Sequence, residues 1–511
     1  MQAVQHIHLA RQVSHWTMAA LRLGALEDLA SSHAWQSLER YLGIVLRQNL
    51  AAAVDRLQKQ AAALQAQWNA ASTLEDIAQV QRMLWNFRGR YQRTEILLNF
   101  YADALNTRTN PTTATLLRAC DVLARRSMSH VLDQLGYTTP PVLTYIDKGL
   151  GASILKAGLR LWDGRTESLI AAIKITRHNL YRPTALVHEA GHQVAHVTGW
   201  SEELASALAG ELSEASPALA SMWASWASEI TADAFAFAHT GYAAVAGLHD
   251  VIAGGETLVL RYTPRDPHPI SYLRVLLGTH MCRQCFGSGA WDDLAQTWMQ
   301  EHPVRKARSV VQPLLQQSLR VLPKVVELAL FKPMRAFRSR SLVAMLDPRR
   351  VSPATLGHLE QQGGAALYTS HHWVWTEPLR LLALTGYRAA TQPECALDIL
   401  QQQKDWKLQL GAVLQTPQLR VVNLRQKKEE KTMTPHEETR SEDTQPQTQL
   451  DTSSRLPASA DDGARQQFNE IKQALAGSQP EWRVPKVDAK ALASEPKHVE
   501  PPLSQPCNII G

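Results

Sequence analysis

Cysteine is scarce in this chain, five among 511 residues. That is too few for a disulfide-built scaffold and points to a reducing compartment. Long apolar runs are missing as well. A membrane span needs roughly 18 or more consecutive apolar residues. The best candidate, residues 234–249, contains His239 and is shut in by Asp233 and Asp250. The opening MQAVQHIHLARQVSHW mixes Gln, His and Arg and has no apolar centre of a secretory signal. These absences lead us to expect a cytoplasmic protein, with signal-less export left open. Charge of one sign is not in large excess: 53 Lys plus Arg stand against 47 Asp plus Glu, a net +6. Hydrophobic residues are 45% of the chain, enough for a sizeable core, so a wholly disordered polymer is excluded. The length allows two to four domains at roughly 150 residues each.

From about residue 15 to 130 the pattern is helical. Leu46, Leu50, Val54, Leu57, Ala61, Leu64 and Trp68 step by three and four, which puts them on one helix face. Ser72-Thr73-Leu74-Glu75 has the form of a capping box, and a second stripe runs from Leu74 through Leu84 and Phe87 to Leu98. Two long stripes joined by a short turn predict an antiparallel helical hairpin. The style changes near residue 140. Val142–Ile146, Leu159–Trp162 and Leu169–Thr176 read as short strands. Arg182-Pro183-Thr184 then opens a helix with Gly199 as its stop. Further helices are expected at 201–213, 217–240 and 274–285. Between the last two lies a Pro-rich loop with Asp266, Pro267, His268 and Pro269. Residues 301–415 are helical again. Within them, 305–350 hold eleven Lys or Arg against two acids, a local +9, so the rest of the chain sums to −3. Beyond about 420, Gln, Glu, Lys, Pro, Ser and Thr dominate, the composition of a disordered tail.

The informative residues are His188-Glu189-Ala190-Gly191-His192. One helical turn separates the two histidines, so their rings leave the same face and can hold one zinc ion. Glu189 stands beside them, placed to take a proton from a metal-bound water. A catalytic zinc site needs a third protein ligand and an open position. The HExxHxxGxxH scheme fails, because position 195 is Ala and position 198 is Thr. His196 lies about 12 Å along a straight helix from His188, too far to share the metal. A glutamate from a following helix fits better. Glu229 and Asp233 are four apart on one face of an otherwise Ala/Phe/Trp helix, and an apolar helix does not bury two carboxylates without partners. A metal gives Glu229 a partner, and a ligating histidine gives Asp233 one. Glu202 and Glu203 are rival third ligands.

HEAGH, then EITAD, then DPHPISYLR resembles the gluzincin zinc metallopeptidases and, more loosely, the HtpX-like peptidase family. The resemblance covers roughly residues 140–285. It implies that His188, His192 and Glu229 bind Zn2+, that Glu189 is the general base and that Asp233 orients a ligand from outside. It further implies that His268 stabilises the transition state or shapes the pocket and that Arg274 braces the acidic cluster. The fold class implied is α+β and predominantly helical, with a zincin-like core. Four regions are expected: a helical hairpin or bundle over 1–135, a zincin-like metallopeptidase domain over 136–300, a basic helical domain over 301–420 and a disordered tail over 421–511. The expected activity is hydrolysis of peptide bonds in a peptide or protein, with Leu169–Thr176 as the edge strand that an extended substrate joins. The rival expectation is a non-catalytic scaffold with a vestigial or structural zinc, in which the N-terminal hairpin binds a protein partner. Two weaker signals remain. Cys282 and Cys285 are either packed thiols or half of a second metal or redox site. The 305–350 run is either a solvated face and internal partner for acids, or a surface for nucleic acid or anionic lipid.

Overall fold

A computed structural model of the chain describes residues 2–412, except 149, 150, 162, 163, 165 and 215. The expected tail, 421–511, lies outside the described residues. The architecture is predominantly helical with one small sheet. The two long stripes form helices Leu46–Ala70 and Leu74–Asn106, and Leu46, Leu50, Val54, Leu57, Ala61 and Leu64 are all buried. A third helix, Gln2–Arg22, packs against both and begins well before the expected start near residue 15. The turn between the long helices is capped one residue later than expected. Thr73 takes the extended N-cap conformation, its hydroxyl accepts from Asp76 N at 3.1 Å, and the Asp76 carboxylate accepts from Thr73 N at 2.9 Å. Thr73 and Asp76 therefore form the capping box, in place of Ser72 and Glu75.

A buried polar network fastens this region to the sheet. Asp121 pairs with Arg108 at 2.8 Å and accepts from Tyr41 Oη at 2.8 Å and from Thr144 N at 2.6 Å. Arg108 also donates to Thr144 O at 2.7 Å. A carboxylate this deeply buried is tolerable only because a cation and several donors surround it.

The sheet has three strands: β1, Val142–Ile146; β2, Ser153–Leu155; and β3, Ala171–Ile175. Their order is β1-β3-β2, with β1 parallel and β2 antiparallel to β3. Of the three expected strands, 142–146 forms in full and 169–176 forms over its centre. Of the strand expected over Leu159–Trp162, residues 159–161 are described and form none; Arg160 makes only an isolated bridge to Glu167. The expected edge role of 169–176 is wrong. β3 is the central strand, hydrogen-bonded on both sides, so no substrate can add to it. Its residues are buried on both faces, the mark of an interior strand. The edge strands are β1 and β2.

The helix bearing HEAGH runs Thr184–Thr198 and ends at Gly199, whose φ of 71° only glycine adopts without strain. Helix Trp200–Glu211 follows. The expected single helix over 217–240 is two helices, Pro217–Ser225 and Ala227–Thr240, with the buried Trp226 at the break. The last helix of the site runs Ser271–Phe286. One hydrophobic core joins these elements to helix Pro111–Leu132 and to the C-terminal helices as far as Leu410. Cations of the basic run meet acids elsewhere in the chain: Lys324 and Lys332 pair with Glu211, Arg335 with Glu203, Lys306 with Glu256 and Arg350 with Glu377. Among the described residues no helix is long and apolar enough to cross a membrane.

Candidate metal centre

One turn of the Thr184–Thr198 helix sets the rings of His188 and His192 edge to face, their centroids 4.8 Å apart. The helix Ala227–Thr240 packs directly on this turn. Gly191 makes that approach possible: a Cβ there would lie 3.0 Å from both Ala232 Cα and Phe235 Cβ. The close crossing brings Glu229 to both histidines. Its Oε2 is 3.4 Å from His188 Nε2, and its Oε1 is 3.3 Å from His192 Nε2. One ligand atom from each of the three residues falls within 4.8 Å of the others.

The opposite ring nitrogens are held from outside. His188 Nδ1 lies 2.8 Å from Asp233 Oδ1, and His192 Nδ1 lies 3.3 Å from Ser228 Oγ. With Nδ1 engaged on this outer side, both rings turn Nε2 toward Glu229, the nitrogen that would be left to a metal. Arg274 closes the cluster from behind. Its Nε and Nη2 donate to Asp233 at 2.6 and 2.8 Å, and Nη2 lies 2.9 Å from Glu229 Oε2.

Charge follows from these contacts. Burial opposes ionisation of Glu229 and Asp233, but Arg274 outweighs it, together with His192 for Glu229 and His188 for Asp233. Glu229 is held well below the usual carboxylate range and Asp233 falls to about 2. Two carboxylates against one guanidinium leave a negative charge over. In the metal-free chain a proton on His188 fills it: burial lowers this ring's pKa, yet Asp233 and Glu229 raise it to about 10. A divalent cation answers the same deficit. Glu189 is buried next to this group, and burial pushes its carboxyl upward against the pull of His188 and His192. His268 stands at the exposed rim, its Nε2 3.7 Å from Glu229 Oε1 and its Nδ1 2.9 Å from Asp266 Oδ1.

The structure thus brings together His188, Glu189, His192, Glu229, Asp233, His268 and Arg274. The rival ligands lie elsewhere. Glu203 accepts from the backbone N–H groups of Arg335 and Ala336 at 2.8 and 2.9 Å, while Glu202 and His196 are exposed. Cys282 and Cys285 are free thiols, Cys282 buried and Cys285 half-buried, and burial raises both pKa values, Cys285 to about 12. Among the described residues they join no metal-binding group.

Three contributors escape a reading of the sequence: Ser228, Asp266 and Gln193. Gln193, fully buried, accepts from Ala157 N at 2.8 Å and donates to Ala157 O at 3.3 Å. It ties the metal helix to the chain just after β2. The one available signal is its position, a polar residue on the inner face of an apolar helix directly after the motif. No family model, curated protein or solved structure matches this chain.

Proposed function

We propose that the chain is a zinc-dependent metallopeptidase of the gluzincin type. The convergence of His188 Nε2, His192 Nε2 and the Glu229 carboxylate carries this reading. Two imidazoles and one carboxylate are a donor set that suits zinc. The outward anchoring of both Nδ1 atoms, at Asp233 and Ser228, is the second support. His188, His192 and Glu229 would hold the ion. When bound there, zinc acidifies water and polarises a carbonyl.

The remaining steps belong to side chains. Glu189 accepts the proton of the attacking water on its carboxylate and passes it to the leaving amide nitrogen. His268, at the rim and fixed by Asp266, donates to the oxyanion as the carbonyl carbon becomes tetrahedral. Arg274 and Asp233 keep Glu229 and His188 in place. The substrate lies extended along the outer edge of β2, whose backbone groups on that side have no strand partner among the described residues. Gln193 holds the end of that edge against the metal helix. A scaffold with a structural zinc has no use for a buried carboxylate at Glu189, which favours the enzyme over that rival.

The test is hydrolysis of a mixed peptide pool by zinc-loaded protein. Cleavage should stop with a chelator and return with zinc. Glu189→Gln should lower it by about 100-fold or more while leaving the metal bound. A pool left intact by zinc-loaded wild type, or a Glu189→Gln variant as active as wild type, would overturn the proposal.

A further inference from the structure

We infer that the recess beside His268 is a binding site for a substrate carboxylate, with Arg261 as its cation; this inference rests on the peptidase reading above. The recess is lined by Leu258, Arg261, Tyr262, Asp266, His268 and Ser271. It shares His268 with the metal centre, so a peptide bond placed at the three ligands sets its neighbouring residue against this hollow. Arg261 is exposed, and no carboxylate among the described residues comes within ion-pair distance of it. The acid of the recess, Asp266, is already engaged, since its Oδ1 accepts from His268 N at 3.0 Å and faces His268 Nδ1 at 2.9 Å. A second acid in the same segment, Glu256, pairs with Lys306. The charge of Arg261 also reaches Asp266 across the recess, but no ion pair within 4 Å holds it, and its planar fork matches a carboxylate with two parallel hydrogen bonds.

The segment that carries Arg261 is pre-shaped. Asp266 N donates to Thr263 O at 3.2 Å, closing a turn in which Arg265 is held at a left-handed φ of 68°. Tyr262 meets Trp226 edge to face, with centroids 6.4 Å apart, and Trp226 leads into the helix that bears Glu229. Leu258 and Tyr262 supply an apolar wall beside the cation. Such a hollow fits a carboxylate on a short aliphatic arm: an Asp or Glu side chain, or the free C-terminus of a peptide. The first source makes the enzyme an endopeptidase with an acidic preference, the second a carboxypeptidase.

Three fluorescent peptides of one core sequence separate these possibilities. The first carries Glu and an amidated C-terminus, the second Gln and a free C-terminus, the third Gln and an amidated C-terminus. Binding to the metal-free protein is read by anisotropy, and cleavage by the zinc-loaded protein is read alongside. One carboxylate peptide should bind about tenfold more tightly than the neutral one, and which of the two does so names the source. In Arg261→Gln that ratio should fall toward one, and Arg261→Glu should favour a peptide with Lys in place of Gln. Equal binding of all three peptides by wild type, or a preference that survives Arg261→Gln, would refute the carboxylate site. If binding is selective and no peptide is cut, the site stands and the peptidase reading falls.

Discussion

An imidazole that binds a metal through Nε2 must give its Nδ1 hydrogen to another acceptor. For His188 that acceptor is Asp233, at 2.8 Å, in a carboxylate fixed in turn by Arg274. Asp233→Ala should therefore weaken zinc binding by about 10- to 100-fold, measured by competition with a chromogenic chelator. Unaltered affinity would mean that Asp233 only neutralises Arg274. The candidate ligands came together as a group because helical spacing determines which side chains share a face: four residues apart for His188 and His192, and again for Glu229 and Asp233. Ser228 and Gln193 were not, because their partners sit 36 residues away in each case, and nothing local marks such a contact. The sequence favoured Glu229 and kept Glu203 as a rival. Only the fold shows Glu203 spent on the backbone of residues 335 and 336.

The site depends, at the level of elements, on two helices crossing without a side chain between them. Gly191→Ala inserts a Cβ at 3.0 Å from Ala232 Cα and Phe235 Cβ and 3.2 Å from Ala232 O, atoms that cannot swing aside. The expected cost is about 1–3 kcal/mol of stability, with looser zinc binding as Glu229 retreats. Denaturant melts with and without zinc measure both, and a variant as stable and as tightly loaded as wild type would show that the helices adjust freely. Helix ends with strong local chemistry, such as Gly199, were readable in advance. Strand order was not. The apolar run at 171–175 reads as a strand from composition, but whether it lies at the edge depends on its neighbours. The decisive neighbour, β2, has only three residues and lies in a stretch rich in Gly and Ala. The break at Trp226 was hidden for the same reason. A buried Trp suits a continuous apolar helix as well as a bend.

For the molecule as a whole, the metal helices are embedded in a core that also includes residues from Leu116 to Leu410. His239, at the far end of the Glu229 helix, is part of that packing. Its ring lies 5.5 Å from His130 on helix Pro111–Leu132, and Arg350 is near enough to repel a proton. Burial first, then His130, lowers its pKa to about 3. In the unfolded chain the ring titrates near 6.5, so between those values the unfolded state binds the extra proton. The stabilisation is complete above about pH 6.5 and is lost as pH falls toward 3, at up to roughly 1.4 kcal/mol per unit. Urea midpoints at pH 7.5 and 5 should thus fall more steeply for wild type than for His239→Gln. Parallel pH dependence in the two proteins would remove His239 from the account. The helical character of the chain was plain from its periodicities. The core shared by helices from residue 116 to residue 410 was not, because contacts between helices hundreds of residues apart leave no periodic trace.

Zinc stoichiometry by elemental analysis, on zinc-reconstituted wild type, Glu229→Ala and Glu189→Gln, tests the central claim most directly. We expect about one zinc per chain in wild type and in Glu189→Gln, and its loss in Glu229→Ala. A wild-type chain that takes up no zinc, or a Glu229→Ala chain that keeps it, would contradict the His188–His192–Glu229 centre.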